Sequence, residues 1–493
     1  MMKTTKFLCL SFCFFALLAP YIGCTHSNLN NDTGGSGPSN GGADPYASYV
    51  TMYVSTTGSD TTGDGSIANP WKTIFYGYSQ LSPGQRILVR GGTYGPELNV
   101  PTVNSQYARQ CGWIGIPLER SGADDAHRIV IQNYPGEVPV LDQQYQGMGF
   151  GTNSSPKYIT IRGLEIARCN HWGIGQQTID APTVGMIVEN CNIHGIRVNV
   201  GSNGGCIRPD RWNDSIIRNN YFRDIRLVNE QYNMNAVCVG PAYSPARILI
   251  EHNYFADAYY GIYYKRPSSY FSGPSKGSII TKNVFDRVGI YYAVAGAPST
   301  NVWEGEENSE NVYIETEVAV KVYECTPQSG PWYFKNNVFH DSSLVLISPV
   351  HVSAVGNIFY RSNSATRRHA IGLVDKSMTG HSYAVGVDQW DYNLYSNWGG
   401  HWILEYDTNA ATTYATMANW QTGVNARYAV AVDGHSIGQA DPGFVDISSS
   451  TVMRRDYTLR AGSAALGKGP NGMSIGCDPD YSGMRPGPDW SLQ

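Results

Sequence analysis

Charge is scarce in this chain: only 15% of its 493 residues are Asp, Glu, Lys or Arg. A chain so poor in charge and so rich in Gly (54) and Tyr (34) fits a β-rich exported protein better than a helical cytosolic one. No long stretch repeats its apolar residues at a period of 3.6, which excludes a largely helical fold. The one long apolar run, Phe7 to Leu18, is too short to span a bilayer comfortably. The ten cysteines show no close pairing beyond Cys24, which excludes a zinc motif of the usual spacing. Without Lys3 and Lys6 the chain carries 33 basic against 40 acidic residues, a net charge of −7 that argues against nucleic acid as a partner.

What is present is a recurrence. Asn220, Asn253, Asn283, Asn337 and Asn357 each close a short strand-like segment, and each is followed two residues later by Phe. Leu164 and Cys191 hold the same place in two earlier copies. The separations from Asn220 onward are 33, 30, 54 and 20 residues, and the 54 reads as two turns with one degenerate copy between. One strand signal every 20–35 residues or so means a stacked solenoid. Asn tolerates a left-handed corner, and its amide can bond the same Asn one coil away. Cys191 sits in that column and reads as a small packed residue rather than a reactive thiol. Export would still permit a disulfide elsewhere.

The N-terminus reads as a targeting segment. Lys3 and Lys6 precede the apolar run, and Tyr21-Ile22-Gly23-Cys24 follows. Gly23-Cys24 resembles a bacterial lipoprotein cleavage box, with Cys24 as the lipidated residue and Tyr21 where Leu is usual. Plain cleavage and secretion is the alternative. Residues 25–48 are rich in Asn, Gly, Ser, Asp and Pro and read as a flexible tether. Residues 49–493 then form one domain: a cap over 49–128, coils over about 129–400, and a closing segment over 400–493.

The cap carries a family resemblance. Its order is Tyr53-Val-Ser, Gly58-Ser-Asp60, Gly63-Asp-Gly-Ser66, Asn69-Pro-Trp-Lys-Thr-Ile74, Pro83-Gly-Gln85 and Gly91-Gly-Thr-Tyr94. This resembles the start of secreted right-handed parallel β-helix proteins, many of them pectate, alginate and chondroitin lyases. The resemblance implies an all-β, right-handed parallel β-helix with an N-terminal cap. It is specific for the fold and says less about the reaction, because one fold hosts several chemistries. Asp60, Asp64 and Asn69 read as turn residues shaping that cap. Segments 300–330 and 400–445 break the rhythm and read as excursions that wall a groove.

Second strands follow several coils: Ala236-Val-Cys-Val239, Gly261-Ile-Tyr-Tyr-Lys265 and Gly289-Ile-Tyr-Tyr292. Aligned by their Gly or Ala starts, they put Tyr263 beside Cys238 and Tyr291, and Lys265 beside Gly240 and Ala293. Alternation turns Ile262 and Tyr264 inward and Tyr263 and Lys265 outward. Arg208 and Asp210 fall near the same row, with Gln177 one coil earlier. Six arginines lie between Arg197 and Arg226, including Arg208, Arg211, Arg218 and Arg223. They read either as a basic patch or as coil edges paired with Asp210, Asp214 and Asp224.

That constellation suits β-elimination on a uronic acid. Arginines or Ca²⁺ neutralise the carboxylate, a base takes the adjacent proton, and an acid protonates the leaving oxygen. Lys265 is the expected base, with Arg266, Tyr263 and Tyr291 beside it. Arg208, Asp210, Arg211 and Gln177 are expected to hold substrate. Lys265 on its strand resembles the catalytic lysine of chondroitinase B-like and alginate lyases. That family has acidic calcium ligands before the lysine, where this chain has Gly261-Ile-Tyr-Tyr264. It also has an Arg-His-Gly step where this chain has Ala295-Gly296. Calcium therefore has no clear ligand motif here. The expected partner is an acidic polysaccharide, with membrane contact only through the lipid and the protein acting as a monomer. A β-helical glycoside hydrolase using two carboxylates among Asp210, Asp224, Asp257 and Glu230 is the second reading. A non-catalytic glycan-binding surface lipoprotein is the third.

The anchor is directly testable. Cys24→Ala is expected to release the protein from the membrane fraction or to block its processing. Equal membrane partition of the two forms would remove Cys24 as the anchor.

Overall fold

The computed structural model describes residues 44–97 and 115–477, except 153, 176–180, 199–203, 228–235, 243–244, 266–274, 294–302, 324–329, 348–350, 363–368, 375, 379–380, 384–385, 399–402 and 407–410. Its strands form three long sheets of 14, 12 and 12 strands. Within each sheet the strands follow one another in chain order and pair in parallel through the coils, so each coil gives one strand to each sheet. Parallel neighbours joined by crossovers of this kind wind right-handed. The chain is a stacked solenoid, as its repeats predict, and a right-handed parallel β-helix, as the resemblance of its cap implies.

The first sheet runs from Val50–Val54 to Val387–Asp391, the second from Gly92–Tyr94 to Ile437–Gly438. The third runs from Ile116–Pro117 to Ile403–Tyr406, closed by the antiparallel strand Ala411–Tyr414. Stacking therefore begins inside the segment expected to be cap alone. The strands Gln85–Val89 and Gly92–Tyr94 already pair with Ile129–Asn133 and Pro139–Asp142.

The asparagine column lies between the first and second sheets. The Nδ2 and backbone N–H of Asn220 both donate to Oδ1 of Asn253 at 3.0 Å. The same pair of bonds repeats from Asn253 to Asn283, Asn283 to Asn311, Asn311 to Asn337, Asn337 to Asn357 and, finally, Asn357 to Asn393. Cys191 continues it upward, its N–H donating to Asn220 Oδ1 at 3.0 Å. Each of these asparagines is at most 1% exposed, so the ladder satisfies amides that would otherwise be buried unpaired.

Two details differ from expectation. The left-handed residue is the one before each ladder Asn: Asn219, His252, Lys282, Glu310, Asn336 and Tyr392 have φ between 53° and 56°. The ladder holds that strained turn rather than occupying it, against a cost of about 1–2 kcal/mol per residue. The 54-residue gap also holds an intact rung, Asn311. The described part of segment 300–330, residues 303–323, is an ordinary coil, with strands Trp303–Ser309, Val312–Ile314 and Val320–Tyr323 in the three sheets. Its first strand carries Glu306 and Asn308 into the interior, at 1% and 0% exposure, which disguised it as a loop.

The residue two beyond each rung builds an aromatic column. Phe222, Phe255, Phe285, Tyr313, Phe339, Phe359 and Tyr395 follow one another with ring centroids 4.7–5.3 Å apart. Coil spacing matches the offset stacking distance, so each ring packs on the next.

Both solenoid ends are covered. Asp60 accepts from the N–H groups of Lys72 and Thr73, and Thr73 caps the helix Ile74–Ser79. Ile74 and Tyr78 of that helix are buried over the first coil. The turn reading of Asp60, Asp64 and Asn69 therefore holds. Ahead of it, Asp44 pairs with Arg86 and Arg162, and the Tyr46 hydroxyl bonds Thr160. The last residues of the expected tether are thus packed. At the other end, segment 400–445 supplies a further coil strand and then the helix Met417–Tyr428, which buries Trp420 and Val424 against the core. Residues 444–477 fold back over the outer face of the second sheet, where Phe444, Val452, Tyr457, Ala465 and Ile475 join Tyr254, Val312, Val338, Ile358 and Leu394. Among the described residues no helix is long and apolar enough to cross a membrane.

The ladder ends on Asp433, which accepts from Asn393 Nδ2 at 3.3 Å, Trp420 Nε1 at 2.7 Å and the Tyr395 hydroxyl at 3.2 Å. Burial outweighs these donors and raises its carboxyl to about 6.

Two measurements follow. Asn253→Leu removes the acceptor for two Asn220 donors, an expected loss of about 1–3 kcal/mol per orphaned group. An unchanged unfolding midpoint would show that the ladder contributes nothing. For Asp433 the folded pKa lies above the unfolded one. Its contribution is therefore present below about pH 4 and is lost as pH rises through about 6. The stability difference between wild type and Asp433→Asn should move against wild type by about 3 kcal/mol across that window. Parallel pH curves for the two proteins would contradict it.

Candidate functional site: the outer face of the third sheet

The third sheet departs from simple alternation at its entry. Cys206 and Ile207 both enter the core, as do Cys238 and Val239. Two consecutive inward residues make a bend, after which the next position faces out. The strand pairs then define one outward row: Gly151, Gly175, Arg208, Gly240, Tyr263, Tyr291, Lys321, Val345 and Gly372. Ile262 and Tyr264 are fully buried in the core, while Tyr263 belongs to a separate outer cluster. The expected facing of these three residues is correct.

The expected register is wrong by two residues in one coil. Val237 pairs with Tyr260 and Val239 with Ile262, so Gly240 lies beside Tyr263 and Ala242 beside Lys265. The expected register set the outward Tyr263 beside Cys238, which the bend turns into the core, so strict alternation through the bend misplaced the pairing. The pairs Tyr263–Tyr291 and Lys265–Ala293 are as expected.

Trp172 organises the outer cluster. A Cβ at Gly205 or Gly240 would come within 3.2 Å of its indole, so the glycines of the next two coils let the ring lie along the sheet. The row of small residues is therefore floored by Trp172 rather than left as an open trough. Met148, Val237, Tyr263 and Tyr291 complete the cluster, and Tyr260 packs against it. Tyr260 stacks on Tyr263 with centroids 5.7 Å apart, and lies 5.3 Å from Tyr291. Tyr259, 59% exposed, meets Tyr260 edge-on at 4.8 Å. Burial raises the hydroxyl pKa of Tyr260 and Tyr263, which keeps both phenols protonated.

Arg208 is 6% exposed, bonds Asp210 through Nε, and has its guanidinium 5.4 Å from the Trp172 ring. Burial of the neighbouring His171, and secondarily the charge of Arg208, lowers that imidazole far below its usual range, to about 3. Lys321 extends its ammonium over Tyr291, 5.2 Å from the ring centroid. Lys265 ends the strand Tyr260–Lys265, two positions beyond Tyr263, and its backbone pairs with that of Ala293. Arg266, Gln177 and Glu230 lie outside the described residues. Arg211 follows Asp210 in a left-handed turn, φ 53°.

The basic patch does not assemble. Arg218 pairs with Glu189 on the first sheet, Arg223 covers Tyr221 on the second, Arg197 covers Tyr145, and Arg208 is on the third. The coil-edge reading fits these residues better. Asp224 and Asp257 occupy equivalent left-handed corners of successive coils, φ 56° and 49°, away from Asp210. One Gly-x-Asp-Asp string occurs, Gly122–Asp125, in an exposed turn where Asp124 bonds His127 and Asp125 pairs with Arg128. Among the described residues no three His, Cys, Asp or Glu side chains converge as a metal site. The cysteines Cys169, Cys191, Cys206, Cys238 and Cys477 are buried free thiols.

Trp172, Tyr260 and Lys321 were not singled out from the sequence. Lys321 stands in Val320-Lys-Val-Tyr323, a legible alternation hidden by reading 300–330 as an excursion.

Residues 52–221, about a third of the chain, match a family model described as Pel9A-like, right-handed β-helix region. Among solved structures, the pectate lyase Pel9A is 16% identical, covering 86% of this chain and 95% of its own, with a TM-score of 0.43. A complex of XylC with xylose is 12% identical, covering 81% and 88%, with a TM-score of 0.46. PfbA, a surface adhesin of Streptococcus pneumoniae, is 11% identical, covering 68% and 83%, with a TM-score of 0.39. No curated protein matches the chain. The chain is thus similar to the right-handed, pectate lyase-like β-helix proteins that its cap motifs resemble.

Proposed function

We propose that the protein is a cell-surface polysaccharide lyase that cleaves a uronate-containing polymer by β-elimination on the outer face of the third sheet. One observation carries the reading. A single strand, Tyr260–Lys265, places the protonated phenol of Tyr263 on an outward row that runs along the solenoid, with Lys265 two positions further along the same strand. Such a row suits an extended polymer, because each coil advances about 4.8 Å.

Lys265 is the proposed base. It takes the proton next to the carboxyl group, the bond to the glycosidic oxygen breaks, and a carbon–carbon double bond forms in the uronate ring. Tyr263 or Tyr291 gives its proton to the leaving oxygen. The carboxylate must be neutralised for this to proceed. Arg266 and Arg211, with Gln177, are proposed to meet it, and Asp210 fixes Arg208 against Trp172. Arg266 beside Lys265 favours the neutral amine the base needs. No described cluster fits calcium, so no step runs through it. The covered solenoid ends favour a monomer, and Cys24 is the proposed anchor.

A hydrolase reading would rest on Asp224 and Asp257, one coil apart at the same corner. Incubation with a panel of uronates separates the two. A lyase yields new ultraviolet absorbance from the unsaturated product, whereas a hydrolase yields reducing ends without it. Lys265→Ala should lower the lyase rate by about 10²–10⁴-fold while retaining polymer binding. Near-normal turnover by that variant would make Lys265 an ordinary strand lysine.

A further inference from the structure

Resting on the reading of the third-sheet face as a polymer site, we infer that Tyr259 and Tyr260 form a stacking wall that binds one pyranose ring of the polymer by its apolar C–H face. The chain enters the third sheet at these two residues and leaves it at Lys265, so they border the outward row on the side away from Lys265. Tyr260 pairs with Val237, and the Tyr259 N–H donates to the Ala236 carbonyl at 2.9 Å, which ties both residues to the coil before. Among the described side chains, Tyr259 is the one aromatic that is exposed, at 59%.

That exposed ring is also an anchored one. Tyr259 meets Tyr260 edge-on, with centroids 4.8 Å apart and planes at 87°. Tyr260 in turn stacks on Tyr263, at 5.7 Å and 14°, and lies 5.3 Å from Tyr291. Tyr263 and Tyr291 are 9% and 7% exposed and pack with Met148 and Trp172. A ring held this way loses little freedom when a ligand settles on it, and tyrosine offers a rigid, amphipathic contact. The ring face carries partial negative charge, which suits the polarised C–H bonds of a sugar. One exposed ring falls far below the ~800 Å² per partner that a stable protein interface buries, and it matches a single sugar. The wall adjoins Tyr263, a proposed proton donor, so a sugar held there lies beside the bond to be cleaved.

The test offers polygalacturonate, alginate, hyaluronan and unsulfated chondroitin to the full chain. Binding is read by affinity electrophoresis and cleavage by ultraviolet absorbance. On whichever polymer retards the wild type, Tyr259→Ala and Tyr260→Ala should weaken binding about five- to tenfold, and Tyr259→Phe should hold it within about twofold. Where the polymer is cleaved, the alanine variants should raise KM more than they lower kcat. Thermal midpoints of the variants confirm folding, and Tyr259 is exposed enough for its loss to be tolerated. Unchanged binding by both alanine variants overturns the inference. So does lost binding in Tyr259→Phe, which would assign the contact to the hydroxyl. Self-association that Tyr259→Ala abolishes while polymer binding persists would assign the rings to contact between copies, and overturns it as well. Cleavage with the tyrosine variants unaffected keeps the lyase reading and removes this one. Tyrosine-dependent binding without any unsaturated product does the reverse, and retardation by none of the four polymers removes both.

Discussion

A single amide, repeated once per coil, holds this molecule together. Each rung from Asn253 to Asn393 accepts two hydrogen bonds from the coil before it and donates to the coil after it. That exchange fixes a turn whose preceding residue is left-handed and usually not glycine. With the turn fixed, the chain passes from the first sheet to the second at the same place in each coil, and the aromatic column falls into register two residues later. The third sheet inherits its position from those two. A site on its outer face is therefore as well placed as the rungs beneath it.

The ladder is indifferent to what faces outward. Outward positions are free to carry chemistry because the interior alone sets register. The third sheet uses that freedom through glycine: Gly175, Gly205 and Gly240 give up side chains so that Trp172 can lie along three coils. The large rings that follow, Tyr260, Tyr263 and Tyr291, then pack against one another and against Met148. The result is an aromatic floor on a rigid scaffold, with Arg208 and Lys321 among its members.

Much of the fold was legible because its signals repeat. Asn and the aromatic two residues after it recur together, and five copies suffice to imply a solenoid. What stayed hidden was hidden for physical reasons. Asn311 was missed because its coil sends Glu306 and Asn308 inward, which mimics a loop. The register of Ala236–Val239 against Tyr260–Lys265 was misjudged by two because Cys238 and Val239 both turn inward, a bend that strict alternation does not foresee. The site was legible only in part. Tyr263, Tyr291, Arg208 and Lys265 were found by alternation, and three of these have their place in one row. Trp172 was not, since its role depends on glycines 33 and 68 residues further along the chain, a relation visible only in three dimensions. The arginine run misled because neighbours in sequence are dealt out to different sheets within a single coil.

The return of residues 444–477 over the second sheet bears on the order in which the chain is built. Their apolar residues meet strands from Tyr254–Phe255 through Leu394–Ser396, which belong to several successive coils. No binding surface for this segment exists until those coils have stacked. A solenoid can otherwise nucleate anywhere and grow from neighbour to neighbour. Here a segment that emerges after those coils is also one that must dock after them, and it bridges coils that otherwise touch only their neighbours. It works as a splint, turning a one-dimensional stack that could fray from its C-terminal end into a unit whose terminal coils open together.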